Sequence, residues 1–192
     1  DVLEQGIKEA HERNKKFFLT VNTLPHNSKL KTFVADMEPL IAMKPDALIM
    51  ADPGLIMTVR EKWPEMPIHL SVQANTTNYW GVKFWQNIGV ERIILSRELS
   101  MEEIAEIRQE CPDIELEVFI HGALCIAYSG RCLLSGYFNH RDPNQGTCTN
   151  SCRWDYKVHN ATESDAGDAQ LLQGFNFEKA QEEANQNFEG IN

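Results

Sequence analysis

Between residues 2 and 121, short apolar runs alternate five times with runs of helical period. The apolar runs are Phe17–Asn22, Ala47–Asp52, Ile68–Gln73, Arg92–Ser96 and Glu115–His121. The helical runs lie around 2–13, 28–43, 54–63, 77–88 and 101–111. Strands joined by helices through short loops demand a parallel sheet, because a parallel partner is reached only by a crossover. Most of the runs read as near-continuously apolar, the pattern of strands covered on both faces. Helix starts reinforce the phase. Asp52-Pro53 offers an N-cap followed by proline at the first helical position, and Ser100 with Glu103 forms a capping box. Met101, Ile104, Ile107 and Cys111 fall on one face of the last helix, which predicts a buried, inert Cys111.

Two architectures satisfy this alternation: a doubly wound sheet and a (β/α)₈ barrel. A complete barrel takes about 250 residues. With five strands before residue 122, a barrel is only partial in a chain of 192 residues. Both architectures place ligands at the carboxyl ends of the strands. Asn22, Asp52, Gln73, Arg97 and His121 sit there and are candidate site residues, with helix capping the competing role for Asp52. His121 ends the fifth strand, and period-two alternation puts Glu117, Phe119 and His121 on one face. A carboxylate beside an imidazole suits acid–base work or a buried hydrogen-bonded pair.

At 42% hydrophobic and 24% charged, the chain has globular composition. No run of about 18 apolar residues is present to span a membrane. Asp1-Val2-Leu3-Glu4-Gln5-Gly6 has neither a basic start nor an apolar core, and there is no initiator Met. The expectation is a piece of a longer cytoplasmic protein. The net charge of −10 excludes non-specific coating of nucleic acid, since phosphate affinity comes from Lys and Arg. The charge is uneven. Residues 121–157 carry Arg131, Arg141, Arg153 and Lys157 against Asp142 and Asp155, whereas both flanking segments are acidic. The chain thus reads as a partial βα-barrel over 1–122, a Cys-rich irregular segment over 123–157, and an acidic polar tail over 158–192 with one helix near 177–186.

The basic stretch also holds Cys125, Cys132, Cys148 and Cys152, spaced C-x6-C-x15-C-x3-C. Four thiols within 28 residues among glycines are able to close around one soft-metal centre. An iron–sulfur cluster fits the spacing. Structural zinc favours two close pairs, which the six-residue first spacing lacks. Disulfides and unrelated thiols are the remaining readings. Cys125 with His121 also reads as a thiol nucleophile and its base, which requires a free thiol. The H-E-x-x-H, G-x-S-x-G, G-x-G-x-x-G and P-loop patterns are absent, removing the main support for a zincin, an α/β-hydrolase or a nucleotide-binding domain.

The run from Glu117 through His121-Gly122-Ala123-Leu124-Cys125 to Ser129-Gly130-Arg131-Cys132 resembles the signature of the collagenase-like peptidase family of unknown catalytic type. Arg141-Asp142-Pro143-Asn144-Gln145-Gly146-Thr147-Cys148 through Cys152-Arg153-Trp154 is similar to the tRNA-hydroxylating branch of that family. So are Pro25-His26-Asn27-Ser28-Lys29-Leu30-Lys31 and Leu70-Ser71-Val72-Gln73-Ala74-Asn75. The likeness covers about residues 3–157. It implies a barrel-like catalytic portion and oxygen-independent 5-hydroxylation of a tRNA wobble uridine, with prephenate, a small carboxylate, as the oxygen source. It implies a 4Fe–4S cluster on Cys125, Cys132, Cys148 and Cys152, with ligand sets that differ between branches. Glu117 and His121 would line the barrel mouth as the catalytic pair. Asn22, Asp52, Gln73, Arg97, Arg131 and Arg153 would bind tRNA or the carboxylate donor. A collagenase-like peptidase and a zinc-stapled RNA-binding module are the alternative functions.

Overall fold

The computed structural model describes residues 2–157 and 161–171, and the chain divides into two compact units at Cys152/Arg153. The first unit is built on five parallel strands: β1 (Phe18–Val21), β2 (Ala47–Met50), β3 (Ile68–Leu70), β4 (Arg92–Ile94) and β5 (Glu115–Glu117). They lie side by side in sequence order, β1-β2-β3-β4-β5. A doubly wound sheet reverses its strand order at a switch point. This order has no reversal and is consistent with a partial barrel.

Helices α1 (Val2–Glu12), α2 (Asn27–Ala42), α3 (Pro53–Lys62), α4 (Tyr79–Asn87) and α5 (Met101–Glu110) precede or join the strands. Local chemistry sets their starts. The Asp52 carboxylate accepts from Leu55 N at 2.9 Å, with Pro53 following. The Asn78 side chain accepts from Gly81 N at 2.9 Å, and Ser100 and Glu103 complete the capping box. Each satisfies a backbone donor that the first helical turn otherwise leaves open.

The core lies on one face of the sheet. Leu48, Met50, Ile68, Leu70 and Ile93 are fully buried against Ile56, Val59, Val82 and Ile107 from the helices. Burying each such side chain contributes about 1.5–3 kcal/mol. The opposite face differs from the expectation of strands apolar on both sides. Registered pairing lines up His69, Arg92 and Glu115 across it. The ring of Phe18 meets His69 edge-on at 4.6 Å, and the Arg92 guanidinium stands 5.2 Å from the same ring. Arg92 also pairs with Glu115 at 2.6 Å and Glu117 at 3.3 Å.

Residues 122–152 are not wholly irregular. They contain a short helix α6 (Leu134–Asn139) and 3₁₀ turns at Pro143–Gln145 and from Ser151. Cys111 caps α5 and is buried, and burial pushes its thiol upward, as expected for a packed, inert residue. In the second unit, β6 (Ala161–Glu163) and β7 (Ala169–Leu171) form an antiparallel hairpin that no sequence signal had indicated. The expected helix near 177–186 lies outside the described residues. No helix among the described residues is long and apolar enough to cross a membrane.

Candidate functional site

The carboxyl end of the sheet carries a cluster of polar side chains drawn from three strands. Asn22 leaves β1 and donates through Nδ2 to Ser71 Oγ at 3.1 Å. Ser71 leaves β3, is 2% exposed, and accepts from Gln73 N at 3.2 Å, capping the 3₁₀ turn Val72–Ala74. Asn75 then turns the chain in the left-handed region, at φ 52°. This conformation suits asparagine better than most residues. Its Nδ2 donates to Gln73 O at 3.2 Å and to the carbonyl of Ser129. Arg97 leaves β4 and donates from Nη2 to Ser129 Oγ at 2.7 Å.

Ser129 belongs to the Cys-rich segment, which folds back over the strand ends. Gly130 makes this approach possible. Its φ is +73°, and a Cβ there would stand 2.8 Å from the carbonyl oxygen of Gln73. Only glycine meets both conditions without displacement. A second anchor joins the segment to the loop after β1. Leu24 N donates to Asn144 O at 3.2 Å, and Gln145 Nε2 donates back to the Leu24 carbonyl.

Four buried polar atoms in this cluster have no hydrogen-bond partner: Gln73 Oε1, Asn75 Oδ1, Thr76 Oγ1 and Arg97 Nε. Buried polar groups are paired in the large majority of cases, so these open donors and acceptors make the cluster the candidate binding site. Nearby, the Ser96 hydroxyl bonds the Glu98 carboxylate and holds it below the usual carboxylate range. A cleft of about 420 Å³ opens at the other, amino end of the strands, lined by Lys16, Phe18, Asp46, His69, Arg92 and Glu115. There Asp46 pairs with His11, and Arg92 pairs with Glu115.

Of the expected binding residues, Asn22, Gln73 and Arg97 meet in this cluster. Asp52 does not join them, since its carboxylate is committed to capping α3. Arg131 follows the covering turn and is exposed, and Arg153 opens the second unit, also exposed. The expected acid–base pair is not assembled. Strand β5 stops at Glu117, whose carboxylate is engaged by Arg92, and His121 lies exposed beyond the strand. The alternation that placed them on one face ends with the ladder that enforces it. Among the described residues no hydrogen bond joins Cys125 to His121, so no thiol–imidazole couple is formed.

The four thiols were expected to converge. All are free of disulfides; Cys125, Cys148 and Cys152 are exposed and Cys132 is half-buried. Among the described residues, no three His, Cys, Asp or Glu side chains group so as to hold a metal ion. As folded, the four thiols are not gathered around one point. Other chemistry organises the segment. Ser135, Asn139, Thr149 and Ser151 form a hydrogen-bonded knot, with Asn139 Nδ2 donating to Thr149 Oγ1 at 2.8 Å and Ser151 Oγ at 3.0 Å. Cys148 Sγ accepts from Asn150 N at 3.3 Å, and Asn144 Nδ2 donates to the Cys132 carbonyl at 2.9 Å.

Sequence reasoning missed Ser71, Asn75, Thr76 and Ser129. The first two lie in the Leu70–Asn75 run already singled out by resemblance. Ser129 is separated from Asn75 by 54 positions, and no local pattern reports that contact.

The family model described as peptidase family U32 matches residues 1–188. The chain is 68% identical over 165 residues to "tRNA hydroxylation protein P" of Haemophilus influenzae, covering 86% of this chain and 36% of the relative. It is 67% identical over 165 residues to the protein of the same name in Escherichia coli, with the same coverage of 86% and 36%. The chain thus spans about a third of the length of these relatives. A solved U32 peptidase structure matches with a TM-score of 0.52 at 16% identity, over 60% of this chain and 50% of that one, which bears on the fold alone.

Proposed function

The chain belongs to peptidase family U32, and from that premise we propose that it is the part of an RNA-hydroxylating protein that receives a tRNA pyrimidine at the carboxyl end of its sheet. One observation carries this reading: the 68% identity over 165 residues to a relative named for tRNA hydroxylation. The chemistry of the cluster supports it. Carboxamides, hydroxyls and a guanidinium recognise hydrogen-bonding edges. They do not make a nucleophile, and the thiol–imidazole couple that a peptidase reading would use is not formed.

In this reading the reaction is 5-hydroxylation of the wobble uridine, with oxygen supplied by a carboxylate-bearing donor such as prephenate. Arg131 and Arg141 are exposed on the covering segment and supply positive charge for phosphates. The net charge of −10 restricts RNA contact to such a local patch. An iron–sulfur cluster on Cys125, Cys132, Cys148 and Cys152 belongs to the proposal only if residues 122–152 close further than they do here, and no step is routed through it. Iron and sulfide analysis after anaerobic purification tests that part separately, with zinc alone supporting a stapled RNA-binding module.

The main test is genetic. When the gene encoding this chain is disrupted, nucleoside mass spectrometry of bulk tRNA should show loss of 5-hydroxyuridine and its derivatives. Normal levels in a strain with no second copy would refute the proposal.

A further inference from the structure

We propose that the Ser129–Gly130 turn covers a base-edge site in which Gln73, Asn75 and Arg97 hold one unstacked pyrimidine by its hydrogen-bonding edge. This rests on the reading that the chain acts on RNA and adds the residues that would recognise the base.

The orphaned atoms define what a ligand must bring. Gln73 Oε1 and Asn75 Oδ1 only accept, and the Thr76 hydroxyl is open in both senses. Asn75 is oriented without ambiguity, because its Nδ2 already donates to the carbonyls of Gln73 and Ser129. Arg97 Nε only donates. A phosphate or a carboxylate would answer Arg97 but offers no N–H to the amide oxygens. A pyrimidine edge offers both. Uracil carries N3–H between two carbonyls, and cytosine carries an amino group beside the acceptor N3. A carboxamide oxygen accepting from the base N–H, with a guanidinium N–H donating to the adjacent acceptor, satisfies both sides at once. Recognition of single-stranded RNA commonly works this way, on splayed-out bases.

The orphaned atoms are buried, so a base enters only if the cover lifts. The cover is suited to lifting. It is held at Ser129 by the Asn75 side chain and by Arg97 Nη2. Both donors are released when it moves and become available to the incoming nucleotide. The closed turn also depends on Gly130, whose φ is +73° and whose Cβ position lies 2.8 Å from Gln73 O. A side chain there favours the open form, and opening is the step that binding must otherwise drive.

The test is fluorescence anisotropy of the full chain with a labelled single-stranded heptanucleotide carrying one central uridine among adenosines. The same oligonucleotide with 3-methyluridine lacks the N3–H donor. The wild-type chain should bind the methylated probe about tenfold more weakly, the discrimination typical of a base-edge contact. Gln73→Leu and Arg97→Lys should each weaken uridine binding by a similar factor, and Gln73→Leu, which removes the oxygen that accepts from N3–H, should also remove the difference between the probes. Gly130→Ala should bind uridine at least as tightly as wild type. Equal wild-type affinity for the two probes overturns the base-edge site while leaving RNA binding intact. Tenfold weaker binding by Gly130→Ala overturns the role of the turn as a cover. Failure to bind either probe at low salt overturns the RNA reading itself, and this site with it.

Discussion

Protonation of His69 should make the fold acid-sensitive over a defined window. The ring sits at the centre of β3, 6% exposed, against Phe18. Burial, reinforced by Arg92 and Lys16 and opposed by Glu115, lowers its pKa from 6.5 to about 4. Other charges facing the same cleft are Asp46, Glu91 and Asp113. In the folded chain the imidazole stays neutral, whereas the unfolded chain takes up the proton first as pH falls. Stability from this residue is therefore complete above pH 6.5 and declines as pH drops towards 4. At about 1.4 kcal/mol per pKa unit the loss approaches about 3 kcal/mol at pH 4, and about 2–3 kcal/mol is already lost at pH 4.5. Urea denaturation of wild type and His69→Gln at pH 7, 6, 5 and 4.5 measures it, because the carboxylates titrate in both proteins and largely cancel in the difference. The wild type should lose about 2–3 kcal/mol relative to the variant across that range. Parallel stability curves for the two proteins would refute the assignment.

Two further predictions concern positions whose roles the structure separates. Asp52→Ala should cost about 1 kcal/mol through loss of the α3 cap, measured by thermal or urea unfolding, and Asp52→Asn should retain most of it. Neither should change RNA affinity, and a selective loss of affinity would return Asp52 to the site. Gly130→Ala should destabilise the closed turn by about 1 kcal/mol or more, because its left-handed φ and the contact with Gln73 O are both unfavourable for alanine. Faster amide exchange at Arg131, whose N–H donates to Tyr128 O within that turn, is the readout.

The five βα units were legible because each strand is a short apolar run closed by a helix start with its own chemistry, as at Asp52-Pro53 and Ser100…Glu103. The helix ends fall within one or two residues of their expected positions, but the strands stop earlier. Ile68–Gln73 is one run in the sequence, yet the ladder ends at Leu70 because the Ser71 hydroxyl caps the 3₁₀ turn that follows. Glu115–His121 shows the same limit. Alternation cannot distinguish a paired strand from an extended loop. On this edge strand the Leu95 N–H to Glu117 carbonyl bond is the last rung to β4. Asn22, Gln73 and Arg97 were readable as polar residues following strands in a parallel sheet. Their covering partner was not, since Ser129 reaches Asn75 across 54 positions by a contact that leaves no periodic trace.

The spacing of the cysteines raises the same question more sharply, since it indicates which thiols are near in sequence but not what holds the segment. Here the holding is done by oxygen and nitrogen. Asn139 donates to both Thr149 and Ser151, Ser135 accepts from Thr149 N at 2.9 Å, and Ser135 and Ser151 are each 1% exposed. Thiols that are mostly exposed contribute little packing to this arrangement. The knot should therefore form without metal, and any metal would bind to a segment already folded rather than create it. Asn139→Ala leaves buried hydroxyls short of a donor, at a cost of about 1–3 kcal/mol, and should markedly accelerate limited proteolysis between residues 122 and 152. Cys148→Ser replaces a sulfur that accepts from Asn150 N at 3.3 Å and from the Ser135 hydroxyl at 3.9 Å with an oxygen able to accept the same donors, and should leave the cleavage rate of the metal-free chain near that of wild type. The opposite ranking, with Cys148→Ser opening the segment and Asn139→Ala tolerated, would mean that the sulfurs organise the loop and that the hydrogen-bonded knot is secondary.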